Sequence, residues 1–99
     1  MMHVKIYKAY RKVIAICDAD LLGKKFIDGE RQLDVKESFY SGEVMDKEKA
    51  VEIIKCEAAD DSTFNLVGKE AISAAIEAGI IAKEGVMKLQ GIPFALSLL

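Results

Sequence analysis

The stretch Lys12-Val13-Ile14-Ala15-Ile16-Cys17 decides the fold. It is β-branched and nearly all apolar, so it reads as a central strand buried on both faces. Upstream, Met2 to Tyr7 alternates, with Met2, Val4 and Ile6 on one face and His3, Lys5 and Tyr7 on the other. That period is the mark of a half-buried strand. Lys8-Ala9-Tyr10-Arg11 between the two is short enough for a hairpin, although it lacks the Gly or Asn of a strong turn. Downstream, Asp18 ends the strand. Asp18 or Asp20 is expected to cap one short helical turn through Leu21-Leu22, closed by a left-handed Gly23. Lys24 to Ile27 and Gln32 to Val35 read as short strands around Asp28-Gly29-Glu30. Phe39-Tyr40-Ser41-Gly42 reads as a loop or irregular strand, in which Gly42 marks a positive φ or a close backbone approach.

Two helices are expected in the second half. The first runs from about Asp46 to Ala58 with Asp46 as N-cap, its apolar set being Ala50, Val51, Ile54 and Ala58, widened by Ile53. The second runs from about Leu66 to Ala78, with Asn65 as N-cap and Gly79 just past its end. Its stripe is Gly68, Ala71, Ile72, Ala75, Ile76 and Gly79, and small residues there permit close approach to another element. Ile80-Ile81 and Val86 to Leu89 look like strand material, and Pro93 limits the last strand to an edge or ends it. Strands first, helices later and a final strand predict an α+β fold: a two-layer sandwich with two main helices on one face of a largely antiparallel sheet.

Composition narrows the function classes. The chain has 99 residues, 14 Lys plus Arg against 16 Asp plus Glu, one His and two Cys. One domain over 1–99 is expected. Area scaling gives roughly 5,600 Å² for the folded chain and about 65% burial, enough for one modest core. No apolar run approaches the ~20 residues of a bilayer span, and the start lacks the apolar centre of a signal peptide. A cytoplasmic protein with no membrane partner is therefore expected. Cys17 and Cys56 suggest no disulfide framework. With no C-x2-C pair, His3 the sole imidazole, and no calcium-loop spacing around Asp18-Ala19-Asp20 or Asp60-Asp61, no metal and no cofactor are expected. Charge is uneven. Residues 1–17 carry four bases and no acid, and residues 18–62 carry 13 acids and seven bases.

Several short motifs occur together: Cys17-Asp18, Leu21-Leu22-Gly23-Lys24, Phe39-Tyr40-Ser41-Gly42-Glu43, Asn65-Leu66-Val67-Gly68 and Gly91-Ile92-Pro93. In this order and spacing, from about Lys5 to Ala95, the chain resembles a small archaeal family classed as a domain of unknown function, DUF424. The resemblance implies a two-layer α+β fold and a cytoplasmic archaeal protein. It implies no activity; genes of the family often sit near translation genes, which hints at the translation machinery as a partner. Members of the family often carry His after the Pro of the last motif, where this chain has Phe94.

Seven residues stand out as candidate binding residues: Cys17, Asp18, Phe39, Tyr40, Gly42, Asn65 and Gly68. Cys17 is a thiol at a strand end near a helix start, which favours a thiolate; the adjacent Asp18 opposes it. The alternation count puts His3 on another strand face, so no Cys–His pair is expected. The ordinary roles, a small buried Cys and a capping Asp, are preferred. Phe39 and Tyr40 offer an aromatic step for a base or peptide, against core packing as the plainer role. Asn65 to Gly68 opens a helix whose free amides suit an anion, but the phosphate-loop spacing is missing. The basic edge Lys5, Tyr7, Tyr10, Arg11 and Lys12 mixes charge and rings as a nucleic-acid surface does; a solvated strand rim looks the same. The apolar tail Phe94 to Leu99 either docks in the core or makes a subunit contact.

No catalytic set emerges. The expected function is a non-catalytic binding module with the translation machinery or RNA as partner. The rival is a small enzyme or ligand binder with Asp18 as base, Cys17 as nucleophile and the second helix's start as anion holder. A third reading is a homo-oligomer held by the apolar tail.

Overall fold

In the computed structural model, which describes residues 1–98, the apolar run at 12–17 is strand β2 (Lys12–Asp18), paired antiparallel with β1 (Met2–Tyr7). Ile14 and Ile16 face one way and Ala15 and Cys17 the other, and all four are fully buried. Burial on both faces explains why this strand shows no polar alternation. After β2 come a 3-10 turn (Ala19–Leu21), the hairpin β3 (Lys25–Asp28) and β4 (Arg31–Asp34), the short helix α1 (Glu37–Tyr40) and β5 (Glu43–Met45). Then follow α2 (Lys47–Ala58), β6 (Ser62–Val67), α3 (Lys69–Glu77), a 3-10 turn (Lys83–Gly85), β7 (Met87–Leu89) and β8 (Ile92–Leu98). The main sheet runs β5-β1-β2-β6-β8-β7, and β3–β4 is a separate two-stranded ribbon. β2 and β6 are parallel and the other pairings of the main sheet are antiparallel. This is an α+β fold.

Helices α2 and α3 cover one face, on Met2, Val4, Ile14, Ile16, Phe64 and Leu66. Asp46 caps α2 as expected, accepting from the Lys49 amide at 2.9 Å. The opposite face is covered at one end by the segment between β2 and β5, which packs Leu21, Val35 and Tyr40 on Ala15, Cys17 and Val67. Farther along that face, Leu96 and Leu98 are 56% and 69% exposed.

The structure moves several boundaries. Phe39-Tyr40 lies in α1 rather than in a loop or irregular strand, and β5 follows where no strand was expected. Gly42 fits the close-approach reading: its φ is not positive, and a Cβ there would fall on the Val4 carbonyl oxygen. Asn65 is not an N-cap. It lies within β6, between Phe64 and Leu66 on the buried face, and the helix starts only at Lys69. The alternation Ser62, Phe64, Leu66, together with pairing to β2 and β8, outweighs the helical spacing of residues 66–68. Asp18 makes no side-chain cap to the turn it precedes. Ile80-Ile81 is irregular rather than strand.

Pro93 lies inside β8, between β6 and β7, and not at a sheet edge. The neighbouring chain explains this: the Gly68 amide donates to the Pro93 carbonyl at 2.8 Å, while the Gly68 carbonyl accepts from Ile72 at 2.9 Å. β6 has already turned into α3 there, so the missing N–H of proline leaves no ladder bond unmade. The tail is likewise a strand of the sheet, and Leu99 lies outside the described residues.

Candidate functional site

The seven residues singled out by the sequence fall into two groups separated by the sheet, with Asn65 apart. On the helix side, Asp18 meets Gly68 and the start of α3. Asp18 Oδ2 accepts from the Glu70 amide at 3.1 Å and Oδ1 from the Ala71 amide at 2.9 Å. These are the second and third helical residues, whose free N–H groups an N-cap side chain ordinarily satisfies. The N-cap position is Gly68, at φ 110°, which has no side chain. A Cβ on Gly68 would land on the Asp18 carboxylate. Asp18 therefore caps α3 from the neighbouring parallel strand. The anion holder is already filled by a carboxylate that is part of the protein.

Asp18 is only 7% exposed, and burial raises its pKa, with the Ala71 and Glu70 amides pulling the other way. A hollow of about 210 Å³ beside it is bordered by Asp18, Asp20 and Lys69. It is smaller than the ~300–1,000 Å³ of ordinary ligand pockets.

On the other face, Cys17 lies under Tyr40 and Phe39. Burial, and then the Asp18 charge, push the Cys17 thiol up to about 12, so it is protonated at neutral pH and a poor nucleophile. His3 is not on another strand face from Cys17. His3 stands directly opposite Cys17 in the β1–β2 register, so the two share a face. The imidazole is nevertheless engaged elsewhere: Nδ1 lies 3.3 Å from the Gly42 carbonyl oxygen and 3.4 Å from the Gly42 amide nitrogen. Among the described residues no hydrogen bond joins it to the thiol.

Tyr40 is buried and its hydroxyl is pushed up to about 12 by desolvation, then by Cys17. Phe39 stacks on Tyr7 at 5.3 Å and meets Tyr40 edge-on at 5.0 Å. These rings pack on one another and the sheet rather than forming an open step. Asn65 sits mid-strand, in one row with Ala15 and Leu96.

The basic amino-terminal edge is largely committed within the chain. Lys12 Nζ lies 2.7 Å from Glu57 and 2.8 Å from Asp60, and hydrogen bonds to Asp60 and then Glu57 raise its pKa. Tyr7 donates to the Phe39 carbonyl at 2.7 Å, and Lys5 lies over the Tyr7 ring. Tyr10 is fully exposed.

A larger concavity lies where no single strong motif marks the sequence. A cleft of about 610 Å³ runs along the outer stripe of α3 to the β7 side of the sheet. Ile72, Ile76, Val86 and Pro93 line it, and Lys47, Lys69, Lys83 and Lys88 surround it, with Glu77 the one acid. Lys47 pairs with Glu77 at 3.3 Å. Among the described residues Lys69, Lys83 and Lys88 make no ion pair. The visible signal was the α3 spacing of Lys69, Ile72 and Ile76; the sequence reading turned Ile76 inward, whereas it is 39% exposed. Among the described residues no three His, Cys, Asp or Glu side chains converge as metal ligands, and no helix is long and apolar enough to cross a membrane.

Comparison with known proteins is consistent with this architecture. Residues 7–98 match the family model described as "Protein of unknown function (DUF424)". A crystal structure of an uncharacterized conserved protein from Methanopyrus kandleri is similar, with a TM-score of 0.89 and 27% identity over 98% of this chain and 90% of that one. A search of the curated proteins returns no match.

Proposed function

The chain belongs to the DUF424 family, and from that premise we propose that it is a non-catalytic binding module whose contact surface is the lysine-rimmed cleft beside α3. One observation carries the reading. The two groups with the best claim to chemistry, Asp18 and Cys17, are on opposite faces of the sheet, one holding a helix end and the other buried and protonated. A nucleophile and its base must come within hydrogen-bond reach of one reacting atom. The cleft, by contrast, has the size of a ligand site, an apolar floor and three lysines, Lys69, Lys83 and Lys88, that make no ion pair among the described residues. Its charge selects an anionic partner.

The finer version, with the translation machinery or RNA as partner in the cytoplasm, uses this same surface, because Lys12 and Tyr7 at the amino-terminal edge are held by internal contacts. Amide shift mapping of the full chain against poly-L-glutamate and against poly(U) RNA tests the proposal. Shifts concentrated at Lys69, Ile76, Val86 and Lys88 are expected. Shifts concentrated on residues 5–12, or none with either polymer, would contradict it.

A second reading, self-association, is favoured by Leu96 and Leu98. They lie in register with Asn65 and Thr63 of β6 on the open end of the sheet. Two copies of such an apolar patch can meet about a two-fold axis.

A further inference from the structure

Resting on the anion-binding reading, we infer that the cleft takes an amphipathic α-helix of a partner protein, its aliphatic stripe flanked by Asp and Glu. The sheet is wider than its two helices. Six strands about 4.8 Å apart make a sheet about 29 Å wide, and two helices packed about 10 Å apart cover about 20 Å of it. About 9 Å is left over, close to the diameter of one helix. The strip that no helix covers is at the β7 side, because α2 lies mainly over β1 and α3 over β2, β6 and β8; the segment 80–86 packs Ile80, Ile81 and Val86 on the core there and leaves the cleft beside it.

The lining also favours a helix. The floor is aliphatic and contains no aromatic ring, so a base has no stacking platform. Ile72 and Ile76, one helical turn apart, offer the ridge against which a second helix packs. The rim holds lysines and no arginine. Lysines are mobile point charges suited to carboxylates scattered along a helix, not forks for planar bidentate readout.

Strand addition at β7 is disfavoured. The outer edge of β7 is already engaged: Arg31 Nη2 donates to the Lys88 carbonyl at 3.4 Å, and Gln90 donates to the Ile27 carbonyl at 2.7 Å, tying the β3–β4 hairpin beside it. An extended peptide would meet these groups rather than a free ladder. A helix needs no backbone bonds from its host.

The test is fluorescence anisotropy on the full chain with a labelled 16-residue peptide. It carries Leu at helical spacing with Glu on both flanks, and is compared with a scramble of the same composition. Binding is expected to weaken at least tenfold for the scramble, and at least tenfold for each of two variants, Lys69→Glu/Lys88→Glu and Ile76→Glu. Circular dichroism confirms that both variants fold. Equal binding of the scramble would overturn the helix inference while leaving the anion reading intact. So would poly(U) RNA binding in the cleft while the peptide does not. Failure of peptide, scramble and poly(U) alike would overturn both.

Discussion

Asp18 and Gly68 share one space: the carboxylate of the first stands where a side chain on the second would begin. The two lie on either side of the parallel β2–β6 pairing, which brings the end of β2 beside the start of α3. A helix that starts directly from a buried strand leaves its first amides in the protein interior, where water cannot satisfy them. Gly68 supplies the turn and Asp18 the acceptor.

Removing the acceptor exposes its role. Asp18→Ala leaves the Glu70 and Ala71 amides without their partner. A lost cap costs about 0.5–2 kcal/mol, and an unsatisfied buried donor about 1–3 kcal/mol. A net loss of about 2 kcal/mol is expected, seen as a Tm lowered by about 10 °C for a chain of this size. Differential scanning calorimetry checks this. An unchanged Tm would show that Asp18 holds nothing.

The same carboxylate predicts a pH effect. Folding raises its pKa above the ordinary 3.8, desolvation outweighing the two amide donors. A carboxyl raised on folding holds its proton more tightly in the folded chain, so its contribution to stability declines as pH climbs from 3.8 through the raised value. Asp18→Asn lacks that titration. Wild-type stability minus that of Asp18→Asn should therefore fall across this window and level off above it. Urea titrations at several pH values measure it, and a difference that grows with pH would contradict the assignment.

Gly68→Ala should be as damaging as losing the cap. It forces an L-residue to φ 110° and pushes a methyl group into the Asp18 carboxylate. Backbone strain of about 1–3 kcal/mol adds to the displaced cap. A loss of about 2–4 kcal/mol by urea denaturation is expected. Gly91→Ala is the control for φ alone, since nothing lies within 4 Å of its added Cβ.

The two thiols should part sharply in reactivity. Cys56 is exposed on α2, while Cys17 is fully buried with its thiol near 12. Iodoacetamide at neutral pH is expected to label Cys56 alone in the folded chain, and both cysteines in urea, by mass spectrometry. Rapid native labelling of Cys17 would revive it as a nucleophile.

The self-association reading is tested by Leu96→Asp/Leu98→Asp. If the exposed leucines hold two copies together, sedimentation velocity shows wild type as a dimer and the variant at half that mass. Equal masses would rule this contact out.

Much of the fold was legible because it is local. The alternation of Met2 to Tyr7, the apolar run of β2 and the Asp46 cap each depend on residues within one turn or strand. The β6–α3 junction was not legible. Asn65 has the look of a cap, and only pairing with β2 and β8 shows it to be mid-strand. The true cap lies 52 positions from Glu70, beyond any sequence window. Asp18 and Gly68 were both among the seven candidate binding residues, and the structure brings them together. Their closeness reflects helix capping rather than an open anion site. Beyond the α3 spacing of Lys69, Ile72 and Ile76, the cleft was not legible because its lysines come from α2, α3, the 3-10 turn before β7 and β7 itself.

The central claim is that the contact surface is the cleft and not the Asp18 cluster. Titration calorimetry with poly-L-glutamate tests it most directly, on wild type, Asp18→Asn and Lys69→Glu/Lys88→Glu, each first shown to be folded. The account predicts that Asp18→Asn binds at least as tightly as wild type, while the double lysine variant binds at least tenfold more weakly. Loss of binding in Asp18→Asn with the lysine variant unaffected would contradict it.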